Sequence, residues 1–403
     1  MPAPPSRCTP RRPAPSFWRT SMSHDENTGP GPRPDAGDPR PDPIVLPSGA
    51  VLADDDAEER PGGVSRRALI GGVTAAAVGG LLVGGVGGGL IGRATGGPKA
   101  ASTVANRPLS VIYGGDVCDA PAIVAKEKGF FAEAGLDVTL HRTVGDEDIK
   151  AAVGSGQFDA SSGIFYSWLK PVSEGQNVKF VAGLHAGCLR LVAPKSFKGK
   201  VADLKGATIG IPSLSSSATM FFSMDLLDAG INPLPEAKQV NWKVLDPSTL
   251  ADALKRGQVD AIATSDPIAY RPILDDYGVE LSSNMSGMNA QDYCCCTALN
   301  GDLVTKEAPL ARKLIEAWCR GSRYVAGHEA EVARIEVDKK YIAGDVATIE
   351  KLLKGYGWKP SVTKLRASLL PGIRKFQKTG YLEASADPEK LADKAFTTLG
   401  IRW

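Results

Sequence analysis

The chain has 403 residues and a net charge of +2, but its composition is uneven: 14 of its 29 prolines lie at or before Pro61, and residues 71–97 hold 12 of its 45 glycines. Neither stretch has the apolar content of a folded domain, so the total length overstates the folded part. Beyond residue 101 the balance is 36 basic against 35 acidic side chains, which argues against a nucleic-acid-binding protein, since that would need a basic patch or stripe.

Residues 1–64 are rich in Pro, Arg, Asp and Gly. Such a composition cannot bury enough surface to offset its ordering entropy, and a disordered tail is expected. Residues 65–101 open with Ser65-Arg66-Arg67-Ala68-Leu69-Ile70 and continue without charge as far as Gly92. An arginine pair ahead of a mildly hydrophobic, Gly/Ala-rich stretch resembles a twin-arginine export signal, with Leu69 where that motif often has Phe. A membrane anchor is the other reading, since about 20 residues span a bilayer, but the glycines make this a weak span. Cleavage beside Ala100, Ala101 and Ser102 would release the body, and an uncleaved signal would hold it at the membrane. Either way it is expected outside the cytoplasm.

From residue 109 the pattern becomes regular. Apolar runs and 3.6-residue periodicity predict a strand over residues 109–113, a helix over 120–134 stopped by Gly135, and a strand over 136–141. A helix at 146–155, a strand at 158–160, a helix at 164–174 and a strand at 178–184 follow. A second cycle begins with a strand at 205–211. It ends at Pro212-Ser213, where the hydroxyls Ser213, Ser215, Ser216, Ser217 and Thr219 lead into a helix over 218–229. Next come a strand at 241–245, a helix at 249–256 and a strand at 259–264, ending at Ser265-Asp266-Pro267. The chain then passes through residues 293–299 and finishes in helices, 309–326 being the clearest. Strands alternating with helices imply an α/β fold with parallel sheets.

Several blocks in this order carry a resemblance. They are Ala120-Pro121-Ala122 and Lys128-Gly129-Phe130-Phe131-Ala132-Glu133-Ala134-Gly135-Leu136-Asp137-Val138, then Gly154-Ser155-Gly156-Gln157-Phe158-Asp159-Ala160. Further on stand Asp203-Leu204-Lys205-Gly206-Ala207-Thr208-Ile209-Gly210 and Leu254-Lys255-Arg256-Gly257-Gln258-Val259-Asp260-Ala261. Together they resemble the type II extracytoplasmic solute-binding proteins of ABC importers, within the group that takes alkanesulfonates, taurine, nitrate and thiamine pyrimidines. The resemblance implies a two-lobed fold, each lobe a mostly parallel sheet flanked by helices. Lobe 1 is expected over residues 108–195, lobe 2 over 200–290, and a return to lobe 1 with C-terminal helices over 291–403. It also implies a small solute held between the lobes, ABC permease and ATPase subunits as partners, and no cofactor or catalysis.

In such sheets ligands sit outside the carboxyl ends of strands. That rule directs attention to Asp116, to Ser161 and Ser162, to His185, and to Asp266. The densest signal is Ser215, Ser216, Ser217 and Thr219, because hydroxyls and unpaired amides at a helix start suit oxyanions. Asp119 reads equally as the cap of the helix that follows it.

The cysteines leave three readings open: buried small hydrophobes, a disulfide, or a thiolate metal site with Cys294, Cys295 and Cys296 as candidates. Tyr293-Cys294-Cys295-Cys296-Thr297-Ala298-Leu299 is similar to the cysteine run of the eukaryotic pyrimidine-precursor synthase of thiamine biosynthesis, thought to bind iron. That resemblance supplies an alternative, a cysteine-ligated metal-binding or thiamine-pyrimidine-related protein. The synthase needs a Lys-x-x-x-His pair, however, and Gly163 and Ser167 fill those places here.

Overall fold

The computed structural model describes residues 107–143, 146–286 and 293–403. The expected tail and twin-arginine segment lie outside them. Among the described residues, no helix is long and apolar enough to cross a membrane. The strands in chain order are β1 (Leu109–Tyr113), β2 (Val138–Arg142), β3 (Ala160–Gly163), β4 (Val178–His185), β5 (Leu189–Pro194), β6 (Thr208–Ile211), β7 (Asn241–Val244), β8 (Ala261–Ser265), β9 (Gly278–Ser283) and β10 (Cys295–Asn300). They form two five-stranded sheets, ordered β2-β1-β3-β10-β4 and β7-β6-β8-β5-β9. The α/β class expected from the sequence is the observed one.

Each sheet is mixed, for a topological reason. β1 pairs parallel with β2 and β3, as β6 does with β7 and β8. The fourth strand of each sheet comes from the other cycle and runs antiparallel to both neighbours: β10 lies between β3 and β4, and β5 between β8 and β9. The backbone therefore crosses between the sheets twice, after β4 and before β10. Because β10 is central, all six of its residues are buried, so its Cys-Cys-Thr-Ala-Leu-Asn sequence reads as a run without alternation.

Two strands have no counterpart in the sequence reading. β5, Leu-Arg-Leu-Val-Ala-Pro, carries Arg190 in what would otherwise be an apolar run. Inside the fold that charge is matched by Asp266 and Glu280. β9, Gly-Val-Glu-Leu-Ser-Ser, is half-buried along most of its length and offers no clear period. The predicted helix over 120–134 is two helices, Ala120–Glu127 and Phe130–Glu133. They are separated at Gly129, whose φ of 78° is a left-handed conformation that glycine adopts without a Cβ clash.

After β10 the chain returns to the first sheet. A parallel bridge joins Phe180 to Phe396, an antiparallel one joins Gly183 to Ser361, and Ser322 Oγ donates to the Leu184 carbonyl at 2.6 Å. Helix Ala308–Val325 packs against helix Ala120–Glu127, burying Leu310, Leu314, Trp318 and Val325. Sustained burial of one helical face is the main source of its stability.

Helix Glu329–Asp338 carries an unusual group. Glu336 is fully buried and neither carboxylate oxygen has a hydrogen-bond partner. Burial, and then the nearby Asp119, push its pKa well above the ordinary carboxylate value. The unfolded chain therefore releases this proton first, and stability falls as pH rises above about 4.3 toward the folded pKa. Glu336→Leu removes that penalty. The variant is expected to be more stable at pH 7 by about 1–3 kcal/mol, with the gain shrinking toward pH 4. Urea unfolding at several pH values measures it; a loss of stability at pH 7 would contradict the assignment.

Candidate functional site

A cavity of about 470 Å³ lies between the carboxyl ends of strands from both sheets. Corresponding loops supply each side. From the first sheet come the Gly114–Asp119 loop after β1, Arg142 at the end of β2, and Ser162, Gly163 and Ile164 at the end of β3. From the second come Pro212 and Ser216 to Ala218 after β6, Asp246 to Ser248 after β7, and Thr264, Ser265, Pro267 and Ile268 around the end of β8. The crossing segments add Cys188 and Cys294, and the strands they lead into add Leu189 and Cys295. The two sides touch: Ser265 Oγ donates to Asp116 Oδ1 at 2.8 Å.

Local chemistry fixes the walls. Asp119 does not cap the helix that follows it; its Oδ2 accepts the amides of Gly115 at 2.9 Å and Asp116 at 3.0 Å, closing the β1 loop on itself. Burial raises its pKa to about 7, opposed by those two amides. At the other side, Ser216 caps helix Ser217–Asp228 by accepting the Thr219 amide at 3.2 Å. This turn abuts the cavity through Ser216, Ser217 and Ala218.

Of the residues singled out from sequence, Asp116, Ser162, Ser216, Ser217, Cys294 and Cys295 line the cavity. Ser161 and Thr219 are fully buried outside its lining, and Thr219 Oγ1 donates to the Ser213 carbonyl at 2.8 Å. Ser215 is half-buried and also off the wall. Asp266 is fully buried; it accepts from Arg190 Nε at 2.9 Å and Tyr356 Oη at 2.8 Å. Burial raises its pKa, with Arg190 opposing. Cys296 turns away to the Gly163 carbonyl, 3.3 Å from its Sγ. Sequence reasoning missed Arg142, Asp246 and Ser248. Arg142 ends the edge strand β2, and Asp246 and Ser248 follow the edge strand β7, where the same carboxyl-end rule applies.

A cluster of thiols stands beside the β1 loop and the two crossings. Cys188 Sγ and Cys294 Sγ are 2.8 Å apart. Hydrogen bonds from Cys118, Cys188 and Cys294 pull the Cys295 thiol well below its ordinary pKa, while burial pushes Cys188 up. His185 is buried against Tyr356 and Trp358, with ring centroids 5.7 Å and 4.7 Å away, and neither of its ring nitrogens has a hydrogen-bond partner. Gly357, between those two aromatics, pairs with Ala186 in the first crossing at 3.1 Å and 2.9 Å.

The model of the NMT1-like family matches residues 105–337, more than half of the chain. The chain belongs to the NMT1-like family. The match takes in both crossings and all six loops around the cavity of this NMT1-like protein. Solved structures show the same fold. The periplasmic nitrate-binding protein NrtA of Synechocystis aligns with a TM-score of 0.63 at 16% identity, over 73% of this chain and 87% of its own. The alkanesulfonate-binding protein SsuA of Xanthomonas axonopodis, bound to MOPS, aligns at 0.60 and 17%, over 72% and 99%. The ligand-binding component of an ABC-type import system from Staphylococcus aureus, with zinc bound, aligns at 0.60 and 14%, over 72% and 97%. A search of curated protein sequences found no match.

Proposed function

We propose that this NMT1-like protein is the extracytoplasmic solute-binding component of an ABC importer, which captures a small solute between two lobes and hands it to permease and ATPase subunits. The lobes correspond to the two sheets, with divisions between β4 and β5 and between β9 and β10; the expected first division near residues 195–200 moves before β5, because that strand pairs with β8 and β9 of the second sheet. The observation that carries the reading is the cavity itself, walled by equivalent loops from both sheets and large enough for a small organic molecule. Export, directed by the arginine pair and apolar run, places the cavity where such a solute is met. Gly163 and Ser167 stand where an amine and an imidazole would be needed for pyrimidine synthesis, which supports a binder rather than an enzyme.

The wall chemistry narrows the solute. Among the described residues, Asp116, Asp119 and Asp246 line the cavity with a single guanidinium, Arg142. A bare anion such as nitrate would meet more negative than positive charge. An amine-bearing oxyanion such as taurine satisfies both, its amine toward Asp116 and its sulfonate toward the first turn of helix Ser217–Asp228. Ser162, Ser216 and Ser217 complete the polar contacts in this reading.

Thermal shift of the full chain with taurine, ethanesulfonate and nitrate tests it. Taurine is expected to raise the melting temperature most, and Asp116→Asn to weaken its binding by about 10- to 100-fold, the cost of losing a charged hydrogen bond. Stabilisation by none of the three would reject the solute class.

A further inference from the structure

We propose that the thiols at the cavity and the buried His185 imidazole behind them form a binding site for a thiophilic d10 cation, Cu(I) or Zn(II). This goes beyond the solute reading, although the site opens on the same cavity. The ligating atoms of Cys118, His185 and Cys295 lie within 4.8 Å of one another, and so do those of Cys188, Cys294 and Cys295. Both triads share Cys295, so a single ion can draw on a sulfur-only set or on a mixed set of sulfur and nitrogen. Thiolate with imidazole is the donor combination that selects Cu(I) and zinc over hard cations such as calcium or magnesium.

The independent observation is His185. It is fully buried, and both ring nitrogens lack a partner. A buried imidazole normally donates from one nitrogen and accepts at the other. One nitrogen here belongs to the first triad, and a cation gives that orphaned lone pair its bond. Access exists as well, because Cys118, Cys188, Cys294 and Cys295 all line the cavity.

This ligand set is not the consecutive cysteine run. Cys296 is directed at the Gly163 carbonyl, whereas Cys118, His185 and Cys188 come from the β1 loop, the end of β4 and the first crossing. Occupancy would therefore tie that loop to both crossings. Binding involves no change of oxidation state: each coordinating thiol gives its proton to solvent and its sulfur lone pair to the ion.

The test is titration of the reduced full chain, kept anaerobic, with Cd(II), a d10 probe whose bonds to thiolate absorb in the ultraviolet. Absorption should saturate at one ion per chain and persist in Cys8→Ser and Cys296→Ser. Cys295→Ser, which removes the sulfur common to both triads, should abolish it. If that variant fails to fold by circular dichroism, the double variant Cys118→Ser/Cys188→Ser, which takes one sulfur from each triad, must lose the absorption instead. No absorption from the reduced protein, or saturation unchanged in Cys295→Ser, would overturn the proposal. Thermal shifts with taurine report on the solute reading separately, so either can fail alone.

Discussion

Arg190→Met is expected to destabilise the protein by about 3–5 kcal/mol, the cost of stripping the partner from a buried charge. Asp266 is fully buried, and Arg190 is its cationic partner at 2.9 Å, with 11% of the side chain exposed. Methionine retains much of the arginine's apolar stem, so the loss is chiefly electrostatic. The pH dependence identifies the cause. Burial already raises the Asp266 pKa while Arg190 opposes it; without Arg190 the folded-state pKa rises further. The unfolded chain then ionises first, so the deficit grows as pH rises above about 4 and narrows on acidification, when Asp266 is buried neutral. Urea unfolding at pH 4.5 and pH 7 measures the difference (conditions roughly bracketing that window). Adding Asp266→Asn should recover much of the loss at pH 7. A deficit of equal size at both pH values, unrelieved by the second substitution, would show that packing and not charge is at stake.

Gly321→Ala is the second large effect, expected at about 3 kcal/mol, the upper part of the range for overpacked cores. A Cβ at this position would lie 2.0 Å from the Pro121 carbonyl oxygen and 3.2 Å from Ala125 Cβ. The first obstacle is backbone, so helix Ala120–Glu127 must move away from helix Ala308–Val325. That helix directly follows Cys118 and Asp119, so its displacement carries the β1 loop and the cavity wall with it. Reduced solute-induced stabilisation should therefore accompany the lower denaturation midpoint. Gly355→Ala is the control. Nothing lies within 4 Å of its Cβ position at the end of helix Val346–Gly355, and the change should be neutral or stabilising by up to about 1 kcal/mol.

The parts of the fold that could be read in the sequence share a physical property. β1, β4 and β8 are apolar runs bounded by polar turns, and their helices keep one buried face, so local pattern and final environment agree. β5 failed that test because Arg190 breaks its run. The charge is acceptable only once Asp266 and Glu280 are brought to it from 76 and 90 residues away, and no local window contains them. Asp266 shows the same dependence: beside a proline after a strand it resembles a ligand group, and in the fold it pairs with Arg190 and Tyr356. Ser216 and Ser217 were legible because a helix start is a local event. The convergence of Cys118, Cys188, Cys294 and Cys295 was not, since it depends on which loop faces which crossing. Arg142 and Asp246 needed only the carboxyl-end rule, extended to the edge strands.

The exchange of β5 and β10 between the sheets governs how the molecule comes into being. Until residues 295–300 exist, β3 and β4 have no strand between them, and the first sheet has a gap at its centre. The first cycle is thus complete in sequence long before it is complete in space. It must persist through synthesis of the 109 residues from 186 to 294 as an open sheet with unpaired backbone. Neither cycle is a self-sufficient folding unit. The last strand to be made is the one that closes the first sheet, and that late closure makes the two halves a single cooperative structure with slow, long-range assembly.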